Sequence, residues 1–313
     1  MLPDKHGIKK KKKKLNYFYL DLLQFLDTNY HSADWVAAHA QNLSRVLQVR
    51  LKKIAMDEVE KKIKEDYLKN LDPQKFKEFK LEGLKADKAE NNYDFWFKCL
   101  HEFFSSRNYS GERMLEIGSG PTVHNIATAS AHFPYIVQSE FVESNCEQIR
   151  KWLRKDPDCL DWSAFLQRIA RAEGRADVDS AVPEIEARIR SAVKAVVHAD
   201  VLDEPIVPEE HTREPYDLVL SSLTFETAAA NLDSYSNILG RVSRLLRKGG
   251  KLILISATRC SYWQVGENRF HCLSLEEPQI EEALRENGFG DICWKVRERR
   301  TTGCPSTARA STS

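Results

Sequence analysis

From Arg113 onward the chain alternates short apolar runs with helix-length amphipathic spans, and no other feature restricts its fold so tightly. The apolar runs are Met114–Ile117, Ile136–Ser139, Ala195–His198, Leu218–Ser221, Leu252–Ser256 and Ile292–Val296. Helical spacing marks the spans between them: Val123–His132, Asn145–Arg154, Val182–Val193, Leu232–Leu246 and Glu277–Asn287. Strands separated by helices predict a mostly parallel sheet covered on both faces. Right-handed crossovers then make it doubly wound. The predicted fold class is α/β, a doubly wound, mostly parallel, Rossmann-like sheet spanning 111–298.

Residues 34–110 read as a helical extension. Leu43, Leu47, Leu51, Ile54 and Val59 recur near helical spacing. Leu71–Phe76, "LDPQKF", reads as a helix start with Asp72 as cap and Pro73 in the first turn. Lys77–Asn92 is polar and reads as a mobile segment, whereas the aromatic-rich Tyr93–Phe104 predicts a core-packing helix. Arg168–Ser180 reads as a polar loop or insertion. The N-terminal segment, 1–33, is basic. Its unbroken Lys9–Lys14 run reads as a solvated, disordered tail. A nuclear-import signal is an alternative, and so is a membrane-surface contact backed by the amphipathic stretch Tyr17–Leu26. At the other end 299–313 is small and polar, and reads as a disordered tail.

Charge and cysteine usage narrow the function classes. Lysine plus arginine total 47 against 46 acids, so no polyanionic partner is called for and no nucleic-acid binding is expected. Seven cysteines are scattered without a CxxC pair, a usage that points to reduced thiols and a cytoplasmic protein. No apolar run reaches membrane-spanning length. The start carries Asp21 inside its apolar stretch and no small-residue cleavage site, unlike a signal peptide. A monomer is expected, and no metal site.

The first strand ends in "RMLEIGSGPT", Arg113–Thr122. A strand that stops at Ile117 and turns through Gly118 and Gly120 brings bare backbone close to a ligand. Glu140 ends the next strand about twenty residues on, where a ribose-binding acid is expected. A dinucleotide fingerprint wants a third glycine at position 123, which is valine. The turn has no lysine to meet phosphate, so it is not a P-loop. Asp200 follows the strand "AVVHAD", and Ser221–Glu226, "SSLTFE", ends another strand on the same sheet edge. This combination favours S-adenosylmethionine as the cofactor.

At these residues the chain resembles the small-molecule N-methyltransferases that include nicotinamide, phenylethanolamine and indolethylamine N-methyltransferases. The matching stretches are Leu115–Phe133, Asn145–Ser163, His198–Pro205, Leu246–Ala257 and Ser261–Phe270. The resemblance runs from about Leu71 to Val296 and implies a class I methyltransferase with residues 34–110 carrying its cofactor lid. It implies that Gly118, Ser119, Gly120, Pro121 and Thr122 line the methionine and ribose end of the cofactor. Glu140 would hold the ribose hydroxyls, with Asn145 close by, Asp200 and Val201 would bracket the adenine, and Ser222 would contact the methionine part. His124 stands where the family carries tyrosine, and Phe76 and Leu81 stand where family tyrosines close over the cofactor. The family's further C-terminal strand has no counterpart in the sequence after Val296, so either a sheet edge is left open or the C-terminus is truncated or altered in this sequence.

The reaction implied is methyl transfer to the nitrogen of a small-molecule amine or pyridine. An amine attacks in its neutral form, so a carboxylate near it would accept its proton. Glu226 matches the family's acidic position. Ser256 stands where nicotinamide-type enzymes place a second acid, and Arg259 where amine-type relatives place theirs. Cys260, Trp263 and Cys272 match other substrate-pocket positions. A different class is also open, a methyltransferase-fold protein without catalysis that serves as an interaction module.

Overall fold

Five of the six apolar runs pair side by side in parallel register, as the predicted α/β fold expects. The computed structural model describes residues 56–85, 91–106 and 109–297 and a strand at 307–312. Strand β1 (Arg113–Ile117) lies between β2 (Tyr135–Glu140) and β4 (Tyr216–Ser222). Strand β3 (Val193–His198) extends the sheet beyond β2, and β5 (Leu246–Thr258) extends it beyond β4. The chain winds from β1 out to β3, then crosses back to β4 and β5. That reversal puts a topological switch point at the carboxyl ends of β1 and β4, where open α/β sheets hold their ligands.

Side-chain alternation feeds two cores, one on each face of the sheet. Met114, Leu218, Leu220, Ile253 and Ile255 enter one core, where they meet α3 (Asn92–Ser106), α4 (Glu143–Arg154), α5 (Ser163–Ala172) and α6 (Val178–Ala192). Leu115, Ile117, Val219, Leu252 and Leu254 enter the other, against α8 (Leu232–Leu245) and α9 (Glu277–Glu286). Local signals start these helices. Asn231 caps α8 through the Ser234 amide, and Asp177 caps α6 through the amides of Asp179 and Ser180. Before β1 come α1 (56–70) and α2 (Pro73–Lys85), and the Lys75 amide donates to Asp72 at 2.8 Å as a capped helix start demands.

Several elements differ from the sequence reading. Val123–His132 is not an α-helix: it forms turns and one 3₁₀ turn, Ala129–Ala131. Hydroxyls there bond nearby carbonyls, Thr122 to Ser119 and Ser130 to Ala127, and compete with a helical ladder. The segment expected to be mobile after Lys77 is helical to Lys85, because Leu84 is buried and Phe79 and Leu81 pack against the core. The region read as a loop at Arg168–Ser180 is shared by α5 and α6, separated by a turn through Gly174 at φ +71°. A hairpin of β6 (Tyr262–Val265) and β7 (Asn268–His271) turns at Gly266, whose φ of +58° suits a tight hairpin.

The expectation of an open sheet edge and a wholly disordered 299–313 is corrected. Residues Thr307–Thr312 form β9, which pairs antiparallel with β5 on one side and with β8 (Cys293–Arg297) on the other. "TARAST" lacks strand-like apolar alternation; main-chain bonds to two neighbours hold it in place. The Lys9–Lys14 run and the stretch Tyr17–Leu26 lie outside the described residues. No helix among the described residues is long and apolar enough to cross a membrane, and among them no cysteine forms a disulfide.

Candidate active site

The turn after β1 is built from two left-handed glycines, Gly118 at φ +72° and Gly120 at φ +59°. Space as well as φ demands glycine. A Cβ on Gly118 would sit 2.1 Å from Thr224 Oγ1, and one on Gly120 would sit 3.3 Å from the Phe76 ring. The Gly118 amide donates to the Ser139 carbonyl at 2.9 Å, and the Gly120 amide donates to Glu140 Oε2 at 2.9 Å. Glu140 thus faces the bend. Its Oε1 accepts from the Val142 amide at 3.1 Å and from Asn145 Nδ2 at 3.0 Å. Burial raises the Glu140 carboxyl above its ordinary value, and the bonds from Asn145, Val142 and Gly120 pull it partly back. Asn145 Oδ1 is buried with no partner.

A second carboxylate comes from β4. Beyond Ser222 the chain passes through Leu223, whose φ of +56° is costly for a branched side chain, into the short helix α7 (Phe225–Ala228). This places Glu226, fully buried, beside the end of β5. Its Oε1 accepts from Ser256 Oγ and from the Ala257 amide, both at 2.9 Å, while Oε2 has no partner. Burial pushes this carboxyl up to about 7.

Both carboxylates line one cavity of about 200 Å³ on the carboxyl edge of the sheet. Gly118, Ser119, Gly120, Thr122, Asn145, Asp200, Val201, Ser222, Cys260, Trp263 and Cys272 line it too. Asp200 accepts from the Leu202 amide at 2.9 Å through one oxygen and pairs with Lys64 of α1 through the other. The wall opposite the sheet is aromatic. Trp263 stacks on Phe270 with centroids 4.8 Å apart, and Tyr67, Phe76 and Phe79 stand 5.8, 6.0 and 5.9 Å from Trp263.

Four expected site residues lie outside the cavity wall. His124 is 2% exposed and stacks on Phe165 at 4.3 Å, with Trp162, Tyr93 and Phe97 around it. Burial holds its pKa well below the ordinary value, so it is a neutral ring of the aromatic core. Pro121 is buried beside the turn and is not in the cavity wall. Arg259 also lies outside the wall, half exposed, bonded to Glu276 at 2.8 Å and 3.7 Å from Glu277. Ser256 acts from behind, through Glu226. Conversely, Tyr67, Lys64, Phe79 and Lys80 line the cavity and were not foreseen. Ile63, Lys64, Tyr67 and Leu71 recur at helical spacing, a signal the sequence held. Tyr67 brings a phenol to the cavity even though Phe76 and Leu81 do not. Burial, with the Glu140 charge adding to it, raises that phenol well above its usual pKa.

The sequence profile of the NNMT/PNMT/TEMT family matches residues 58–303. The chain belongs to this family. It is similar to nicotinamide N-methyltransferase of Sus scrofa, 32% identical over 230 residues, which cover 72% of this chain and 84% of that one. Phenylethanolamine N-methyltransferase of Sus scrofa is 32% identical over 213 residues, covering 68% and 72%. Indolethylamine N-methyltransferase of Oryctolagus cuniculus is 34% identical over 196 residues, covering 62% and 73%. As a family member the chain is an S-adenosylmethionine-dependent N-methyltransferase of small molecules. Its cavity fits that cofactor: bare backbone at Gly118–Gly120, a buried carboxylate facing it from Glu140, and the unpartnered Asn145 Oδ1. Among the described residues no group of three or more His, Cys, Asp or Glu side chains is placed to hold a metal.

Proposed function

We propose the following division of labour for methyl transfer in this cavity. Glu140 holds the ribose hydroxyls, with Asn145 beside it. Asp200 and Val201 bracket the adenine. Gly118, Ser119, Gly120, Thr122 and Ser222 receive the methionine end. When bound, S-adenosylmethionine supplies a methyl group activated by its sulfonium. The aromatic wall of Tyr67, Phe76, Phe79 and Trp263 excludes water and lets the acceptor nitrogen approach without a full hydration shell. Cys260, Trp263 and Cys272 shape the acceptor end.

Glu226 is the residue that handles the proton. Ser256 and Ala257 fix one of its oxygens and leave the other for an acceptor amine. A carboxyl poised near 7 can hold an amine and take its proton as the nitrogen attacks. A pyridine nitrogen needs no such base. The observation that carries this reading is the pair of buried carboxylates on one cavity wall, Glu140 tied to the glycine turn and Glu226 with an oxygen to spare. The scaffold reading has lost its two grounds, since Tyr67 supplies a phenol and β9 covers the sheet edge. We also infer a cytoplasmic location, from the scattered cysteines without a CxxC pair.

The test is methyl transfer from labelled S-adenosylmethionine to a panel of aromatic amines, aliphatic amines and pyridines. Glu226→Gln is expected to lower kcat for amines by about a hundredfold or more and to spare pyridines. Cofactor binding with no acceptor methylated would favour the scaffold reading.

A further inference from the structure

Lys80, on α2, lines the cavity, and among the described residues no carboxylate lies within ion-pairing distance of it. Two ring contacts locate its ammonium. Nζ is 5.0 Å from the Phe76 ring centroid and 5.7 Å from that of Tyr93. Phe76 in turn covers Gly120, where an added Cβ would lie 3.3 Å from its ring. The Lys80 charge also helps to lower the pKa of His124, four residues past Gly120. The ammonium therefore sits at the glycine-turn end of the cavity.

Aromatic faces compensate a cation only in part. Burial accordingly pulls the Lys80 ammonium down to about 8. A half-buried cation there without a counter-ion costs some free energy, and an incoming anion offsets it. Phe76 and Leu81 have no donor, and the His124 ring is stacked in the core. These are the three positions where the family resemblance implies phenols.

We propose that Lys80 binds and anchors the amino-acid carboxylate of the cofactor. The proposal rests on the cavity being the S-adenosylmethionine site. Calorimetric titration with S-adenosylhomocysteine and with methylthioadenosine tests it, because the second ligand keeps the nucleoside and thioether and lacks the amino-acid end. Wild-type protein should prefer S-adenosylhomocysteine. Lys80→Met should weaken that ligand about ten- to a hundredfold, the worth of a charge-assisted hydrogen bond, and leave methylthioadenosine unchanged. Lys80→Arg should keep most of the preference, and Lys75→Met, exposed on the same helix, should keep all of it. In the wild-type protein added salt should weaken S-adenosylhomocysteine more than methylthioadenosine, a readout that needs no variant. Equal weakening of both ligands by Lys80→Met would make the lysine merely structural and overturn the proposal, as would an unchanged preference. If the wild-type protein bound neither ligand, the cofactor reading itself would fail and the anchor with it.

Discussion

Replacing Glu226 by glutamine should make the protein more stable at pH 8 and nearly leave it alone at pH 5. In the folded chain this carboxyl titrates near 7, against an ordinary value of 4.5, because it is fully buried. The native state therefore holds a proton that the unfolded chain has already released between these values. Stability falls as pH rises from about 4.5 to about 7 and is level beyond. A difference of that size corresponds to about 3 kcal/mol. A glutamine Oε1 still accepts from Ser256 and Ala257, and its amide replaces the unpartnered Oε2. Urea unfolding at pH 5, 6, 7 and 8 should show the advantage of Glu226→Gln growing to about 3 kcal/mol by pH 8. Glu116, buried and also pushed to about 7, gives a parallel series through Glu116→Gln. A difference between variant and wild type that stays flat across this range would refute the reasoning, as would a Glu226→Gln protein less stable at pH 8.

Gly118→Ala should cost about 2–4 kcal/mol, from the left-handed backbone and the clash with Thr224. Its Tm should drop by roughly 5–15 °C, and Thr224→Ala should recover part of the loss by removing Oγ1 and Cγ2. Deleting 299–313 should expose the edges of β5 and β8, and light scattering should then detect aggregation that the full chain does not show. Arg259→Ala should leave the acceptor KM within about twofold, since the side chain lies outside the cavity and binds Glu276; a larger change would return it to the substrate site.

What could be read from the residues was whatever repeats along the strand or turns on a single φ. The six central apolar runs are all strands, and the glycine turn faces Glu140 as the twenty-residue spacing implies. Side-chain direction was harder. His124 lies four residues past Gly120, and spacing alone does not say that it turns into the core between Trp162 and Phe165. Arg259 sits at φ +58°, a conformation no periodic pattern announces, and its acidic partners lie seventeen and eighteen residues on. The cavity's outer wall depends on how α1 and α2 fold back over the sheet edge, so Tyr67, Lys64 and Lys80 became visible only in three dimensions. Strand β9 carries no strand signature in its residues, because small polar side chains do not mark a strand that is held by main-chain bonds on both sides.

In the proposed site, Glu140 and the glycine turn together grip the nucleoside of the methyl donor. Calorimetric titration of S-adenosylhomocysteine into the wild-type protein and into Glu140→Ala tests it directly. One site per chain is expected in the wild type, with affinity at least about tenfold weaker in the variant, whose fold is checked by circular dichroism. Equal affinity in both proteins would contradict the account, as would no heat in the wild type at high protein concentration.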